Sequence, residues 1–291
     1  MKNVRPDLGV SFLLLFLSLT VTVSSSFARE TSGYGHYAPS AYSNKVVLLD
    51  WNTPDGLSRL VHASYTTDFY QLAHHYQPQQ NGLYCGVASS VIVLNALRAG
   101  RREIPSQQTQ EISVPPIWGG GSIPYTLYAQ ASFFDEHTEQ VKPRAVVEFR
   151  ANAADGKPNP GLMLQELRDM LEAHGVDARA QYADADEMAG VVLFREVLRA
   201  TLGESEHFLI VNYDSQKIGQ AGGGHISPLG AYDSASDSVL ILDVSGQFNP
   251  WVWTPVRDLY LAMHTQDGAK YRGWVVVSEG STPLTNTGHP E

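Results

Sequence analysis

One cysteine occurs in 291 residues, which excludes an intramolecular disulfide and any multi-cysteine metal site. Three roles remain for Cys85: a small buried hydrophobe, an intermolecular bridge or a nucleophile. Positive charge is also scarce. Twenty Lys and Arg stand against 30 Asp and Glu, a formal net charge of -10, and such acidity argues against nucleic-acid and anionic-membrane partners. Beyond residue 28 no stretch is long and apolar enough to read as a transmembrane helix. The run Gly222-Gly223-Gly224 is not followed by Gly-Lys-Ser/Thr, so it is not a nucleotide loop. None of the ten histidines has zinc-ligand spacing, and the adjacent His74 and His75 do not face one site. No intrinsic cofactor or metal is expected, and there is no internal repeat.

What is present begins with a leader. Lys2 and Arg5 precede an apolar core over residues 10–23, and Ser26-Phe27-Ala28 places small residues before Arg29, the pattern of a cleaved secretory signal peptide over 1–28. The uncharged span 8–28 would just reach across a bilayer, but its Ser and Thr content and the cleavage site favour removal, with no stable membrane insertion afterwards. The expected location is periplasmic. Loss of Lys2, Arg5 and Asp7 leaves about 263 residues with a charge near -11. Residues 29–45, rich in Ser, Tyr and Gly, read as a flexible lead-in, 46–278 as one catalytic-sized domain and 279–291 as a disordered tail. An exported chain with a single unpaired cysteine favours a catalytic thiol.

Cys85 stands in Gln79-Gln80-Asn81-Gly82-Leu83-Tyr84-Cys85-Gly86, directly ahead of residues 86–97, which are apolar on nearly every face as in a helix buried mid-domain. Gly100 closes that helix, with Arg98, Arg101 and Arg102 near its negative end. Cys85 then sits at the helix N-terminus, where orphan amides and the dipole favour thiolate. Gln79 lies in the entering loop and can aim its amide at an oxyanion beside the sulfur, a donor typically worth about 3 to 4 kcal/mol. A buried cap cysteine and a solvated Gln79 fit the local sequence equally well; cysteine chemistry needs a histidine.

His225 is the candidate base. It opens His225-Ile226-Ser227-Pro228-Leu229-Gly230-Ala231-Tyr232, and after the polar turn 233–238 the chain continues Val239-Leu240-Ile241-Leu242-Asp243-Val244. This reads as a β-hairpin. With the turn centred near Ala235 and Ser236, Asp243 falls opposite a residue close to His225, within reach to hold an imidazole nitrogen. A carboxylate at the end of an apolar strand is costly to bury without such a partner.

The order Gln, Cys at a helix start, then His and Asp on a hairpin is that of papain-like cysteine peptidases. More narrowly, Phe69-Tyr70-Gln71-Leu72, Tyr84-Cys85-Gly86-Val87-Ala88-Ser89, the segment from Ile218 through Gly222-Gly223-Gly224-His225 to Pro228, and Leu240-Ile241-Leu242-Asp243-Val244 resemble the phytochelatin synthase catalytic domain. The likeness spans roughly 46–278. It implies a thiol enzyme that attacks the Cys-Gly amide of glutathione, releases glycine and holds a γ-glutamylcysteinyl thioester for water or a second glutathione. By resemblance Cys85 is the nucleophile, His225 the general base and acid, Asp243 its orienter and Gln79 the oxyanion donor. Asp267, Arg272 and Gly224 match family positions for binding the γ-glutamyl head, whose ammonium and carboxylate need one anion and one cation. Cadmium or zinc would arrive as a metal-glutathione thiolate, on substrate sulfur and not in a protein site.

The chain departs from the family where basic residues are usual. Asp243 is followed by Val244-Ser245-Gly246-Gln247-Phe248-Asn249, without the two expected cations, and Ser215 stands where many members carry Arg. Basic groups there would hold tripeptide carboxylates, so hydrolysis to γ-glutamylcysteine and glycine is expected to outrun transpeptidation. Two other readings fit the same residues: an exported papain-like peptidase acting on other peptides, and a non-catalytic periplasmic binder of glutathione or its metal thiolates.

The segment order predicts the fold class. Apolar residues at 163, 164, 167, 170 and 171 before Gly175, and the stretch 187–202 before Gly203, read as helices. Residues 208–213, the hairpin and 273–277 then supply strands. This is α+β: a helical half with the nucleophile helix packed against an antiparallel sheet half, Cys85 facing His225 and Asp243 across a cleft. Residues 106–132, with Pro115-Pro116 and Gly119-Gly120-Gly121, are expected to be a loop bordering that cleft.

Overall fold

The computed structural model describes residues 46–105 and 108–280. The expected leader, the lead-in and most of the tail lie outside them. The helices are α1 (Pro54–His62), α2 (Phe69–His74), α3 (Cys85–Arg98), α4 (Glu136–Val141), α5 (Arg144–Val147), α6 (Leu164–Ala173), α7 (Glu187–Gly203) and α8 (Val256–Met263). The strands are β1 (Leu49–Asp50), β2 (Thr109–Ser113), β3 (Ser122–Thr126), β4 (Val176–Tyr182), β5 (His207–Asp214), β6 (Gly224–Asp233), β7 (Ser238–Ile241), β8 (Val252–Pro255), β9 (Gln266–Asp267), β10 (Lys270–Tyr271) and β11 (Gly273–Glu279).

Seven strands form one antiparallel sheet in the order β1-β8-β7-β6-β5-β11-β4. The expected α+β class holds, with the Cys85 helix packed on this sheet. The helices divide between its faces. On one face α3 and α6 share a core that includes Val91, Leu94, Leu167, Met170, Ile226 and Leu240; on the other α7 and α8 pack Phe194, Leu198, Leu259 and Met263 against Val211, Leu229 and Ile241. The sequence order, helices then sheet, hid this second layer, because α7 is read from the helical half and α8 carries too few residues to stand out. Strand β4 was also not legible: its exposed face carries Arg179 and Gln181, so only Val176 and Ala178 are fully buried.

Helix α3 is the axis of the first layer. From Gly86 to Arg98 every residue is buried, and each large aliphatic side chain so placed contributes about 1.5 to 3 kcal/mol. Its polar residues are consumed internally. The Ser89 hydroxyl donates to the Ile226 carbonyl at 3.1 Å, and Asn95 exchanges two 2.9 Å hydrogen bonds with the Tyr128 backbone. Arg98, expected as a helix-end cation, is buried, where it donates to the Tyr128 hydroxyl, the His174 and Gly175 carbonyls and the Glu279 carboxylate. Glu279 therefore belongs to the domain: β11 runs one residue past the expected boundary at 278, because its last carboxylate neutralises a buried guanidinium.

The described part of the segment expected to be a loop, residues 108–132, is not irregular. It contains the β2-β3 hairpin, with Ile112 opposite Ile123; Pro115, Pro116 and Gly119 to Gly121 form its tip, while Pro124 sits within β3 opposite Glu111. The base of this segment does reach the loop before Cys85: the Gln130 amide donates to the Pro78 carbonyl and its oxygen accepts from the Gln80 N–H.

His174 gives the fold a pH signature. Its ring packs between Tyr128 and Phe133, and burial, opposed by Asp135 and the Phe133 carbonyl, lowers its pKa from 6.5 to about 4. A base whose folded pKa is depressed is protonated first in the unfolded chain, so stability falls as pH drops from 6.5 towards 4, by about 3 kcal/mol in all. Urea midpoints over that interval should decline more steeply for the wild type than for His174→Gln; parallel slopes would contradict it.

Candidate active site

The hairpin sets the geometry. Asp233 pairs with Ser238, Tyr232 with Val239 and Ala231 with Leu240, but the next pair is Leu229 with Ile241, so the register shifts by one residue at Gly230. Unbulged, Asp243 would lie opposite Pro228, whose side chain points to the other face from His225. The bulge brings it opposite Ser227, on the His225 face. Gly230 permits this: a Cβ there would stand 3.0 Å from Leu242 and from Phe69.

His225 Nε2 and Asp243 Oδ1 are accordingly 2.8 Å apart, and Cys85 lies near enough to the imidazole to act on its pKa. Asp243 is fully buried, and its Oδ1 also accepts from the Ser245 N–H at 2.8 Å and the Ser245 hydroxyl at 2.6 Å. Burial acts to raise the Asp243 pKa, but the hydrogen bonds from His225 and Ser245 prevail and hold it low. For His225 burial acts to lower the pKa, and the Asp243 hydrogen bond together with the neighbouring Cys85 outweighs it, raising the value to about 10. The imidazole is thus cationic at neutral pH between a carboxylate and a sulfur.

Cys85 is half-buried at the first position of α3. The helix is pinned to the strand bearing His225 by the Ser89–Ile226 hydrogen bond and by contact at Gly86, where a Cβ would come within 3.2 Å of Ile226. Gln79 is tied to the same place. Its N–H donates to the Val244 carbonyl at 2.8 Å, one residue beyond Asp243, while its side-chain amide donates to the Asn81 carbonyl at 3.0 Å and its Oε1 is buried without a partner.

Asp267, Arg272 and Gly224 also converge. Arg272 Nη1 lies 3.1 Å from Asp267 Oδ2 and 2.8 Å from Asn212 Oδ1, and Asn212 donates in turn to Asp267 at 3.0 Å. A Cβ on Gly224 would stand 2.8 Å from both terminal guanidinium nitrogens, so glycine at the position before His225 is what lets Arg272 lie there. The Arg272 Nε is buried without a partner. Sequence reasoning did not single out Asn212, which bridges the pair; nothing in an apolar strand marks one polar residue as functional. Tyr76 was missed as well. Its hydroxyl donates to the Asp243 carbonyl at 2.8 Å and would lie 2.7 Å from any Cβ on Gly246. Among the described residues no group of three or more His, Cys, Asp and Glu could hold a metal ion.

A cysteine at a helix N-terminus, a histidine beside it and a buried carboxylate behind the histidine form the constellation of a cysteine-nucleophile enzyme. The chain belongs to the phytochelatin synthase family: the family model described as phytochelatin synthase matches residues 43–274. It is 26% identical over 238 residues to glutathione gamma-glutamylcysteinyltransferase 3 of Lotus japonicus, covering 79% of this chain and 42% of that protein. It is 29% identical over 218 residues to glutathione gamma-glutamylcysteinyltransferase 1 of Triticum aestivum, covering 74% and 36%. The glutathione gamma-glutamylcysteinyltransferase of Schizosaccharomyces pombe is 20% identical over 219 residues, covering 75% and 45%. This chain therefore aligns with less than half the length of these curated relatives.

Proposed function

We propose that this protein cleaves the Cys-Gly amide of glutathione through a γ-glutamylcysteinyl thioester on Cys85, and that water is the preferred acceptor. The observation that carries the reading is the His225–Asp243 hydrogen bond with Cys85 beside the imidazole, in a member of this family. The thiolate attacks the amide carbonyl; the C–N bond breaks as the imidazolium gives its proton to the departing glycine nitrogen. Neutral His225 then takes a proton from water, whose oxygen displaces the sulfur and releases γ-glutamylcysteine. Asp243 holds the ring throughout. First-turn amides of α3 and the Gln79 amide are the proposed oxyanion donors. Asp267 and Arg272 are proposed to receive the γ-glutamyl ammonium and carboxylate, exchanging their mutual pairing for substrate.

The preference for water rests on Gly246 and Ser215. The Tyr76 hydroxyl occupies the space a side chain at 246 would enter, and the Ser215 hydroxyl is spent on the Ala221 and Gly223 carbonyls, at 3.2 and 3.0 Å. Neither position offers a cation to an acceptor carboxylate. In this reading the protein acts in the periplasm, and a soft metal enters only on the glutathione sulfur.

Product analysis tests this. Purified protein with millimolar glutathione, with and without cadmium, should release glycine and γ-glutamylcysteine in equal amounts. γ-Glutamylcysteine polymer as the main product would overturn the hydrolytic preference, and no Cys85-dependent glycine would overturn glutathione as substrate.

A further inference from the structure

The carboxylate of Asp243 is held unevenly. Oδ1 accepts from three donors, His225 Nε2, the Ser245 N–H and the Ser245 hydroxyl. Facing Oδ2 is the hydroxyl of Tyr213, at 3.4 Å. Tyr213 is fully buried on β5, directly across the ladder from His225, and its ring meets the imidazole edge-on with centroids 5.7 Å apart. Its hydroxyl has a second acceptor, Gln220 Oε1 at 3.3 Å, and the Gln220 Nε2 is buried without a partner. One proton thus serves two acceptors, the catalytic carboxylate and a side chain in the loop just before His225. Burial, with the Asp243 charge beside it, pushes the Tyr213 pKa well up, so the hydroxyl remains a donor.

We propose that Tyr213 is a positioning residue that acts through Asp243: its hydroxyl fixes the free oxygen of the carboxylate, and Gln220 competes for that hydrogen bond. This rests on the reading of Cys85 and His225 as a catalytic pair. A carboxylate restrained at one oxygen can swing; held at both, it keeps Oδ1 aimed at Nε2. The same bond withdraws charge from the carboxylate and so moderates its pull on the imidazolium. The other ionisable groups about this site are Cys85 on α3, Tyr76 after α2, Asp214 across from Gly224, and the Asp267–Arg272 pair beyond Gly224.

Because Cys85 is the only thiol in the chain, the pH dependence of its alkylation by iodoacetamide reads the pair without any substrate. His225→Ala identifies the basic limb that belongs to the imidazolium. Tyr213→Phe should move that limb upward by about half a pH unit, since the carboxylate regains charge. It should also lower kcat for glycine release about five- to tenfold with KM unchanged. Gln220→Met, which removes the competing acceptor, should move the limb the opposite way, and should do nothing further in the Tyr213→Phe background. A Tyr213→Phe protein that is less stable but keeps the wild-type limb would overturn the proposal, as would equal shifts from Gln220→Met with and without Tyr213. If the wild type shows no His225-dependent limb, it is the catalytic pair that fails, and the role of Tyr213 falls with it.

Discussion

Cys85→Ala is expected to abolish glycine release from glutathione, by about five to six orders of magnitude, the scale of loss when a nucleophile working as a unit with its base is removed. The fold should survive. Cys85 is half-buried at the first turn of α3, and losing one sulfur there should cost about 1 kcal/mol or less. Circular dichroism and the thermal midpoint should therefore match the wild type while activity vanishes. Residual glycine release within a factor of about ten of wild type would place the chemistry elsewhere. A binder that kept the fold without catalysis would give a different pair of results: no glycine from the wild type, and glutathione bound equally by both proteins.

His225→Ala is expected to have the second largest effect, a fall of about four to six orders of magnitude, because two functions are lost together. The thiolate loses its counter-ion, and the departing glycine nitrogen loses its proton donor. The pH profile should change as well as the rate. In the wild type the raised pKa of about 10 keeps the imidazolium charged through neutrality. Without the ring, the pH dependence of Cys85 alkylation should lose the limb that belongs to the imidazolium. Asp243→Asn should be milder than His225→Ala. Its amide oxygen can take the place of Oδ1 and still accept from Nε2, so orientation persists while the charge that stabilises the imidazolium is lost. The ordering Cys85→Ala, His225→Ala, Asp243→Asn in steady-state activity checks this division of labour, and an Asp243→Asn loss as deep as that of His225→Ala would contradict it.

How much of this was legible in the sequence depended on whether one segment carried the signal. The nucleophile helix was, because its apolar residues occupy nearly every face and Gly100 follows. So was the hairpin, because a polar turn separates two apolar runs. The Cys85, His225 and Asp243 positions could be named for the same reason, and the Asp267, Arg272 and Gly224 grouping came from resemblance. What the sequence could not show was set by registers and distant contacts. The bulge at Gly230 decides which face Asp243 occupies, yet a glycine inside a strand does not state which way the ladder slips. Tyr213 read as one more apolar strand residue, since only the fold puts its hydroxyl on Asp243. Tyr76 and Gly246 are 170 positions apart, and their mutual exclusion exists only in three dimensions. Arg98 and Glu279 were assigned to a helix end and a tail, because charge in a sequence suggests solvent until a partner is found.

The same distinction shows how function follows from packing. The Ser89 hydroxyl, Gly86 and the Gln79 N–H fix the nucleophile helix and its entering loop to the strands that carry His225 and Asp243. Together these contacts fix where the Cys85 thiol sits relative to His225. Positioning of this kind supplies a large part of an enzyme's rate advantage, up to about 7 to 11 kcal/mol in well-oriented systems.

The most direct test of the central claim is the intact mass of the protein after brief mixing with glutathione and an acid quench. A thioester intermediate predicts a gain equal to glutathione less glycine, located on Cys85, absent from Cys85→Ala and discharged on longer incubation as free γ-glutamylcysteine appears. A gain equal to glutathione less two hydrogen atoms, reversed by reductant, would show a mixed disulfide, and that outcome, or no adduct at all beside steady glycine release, would contradict the account.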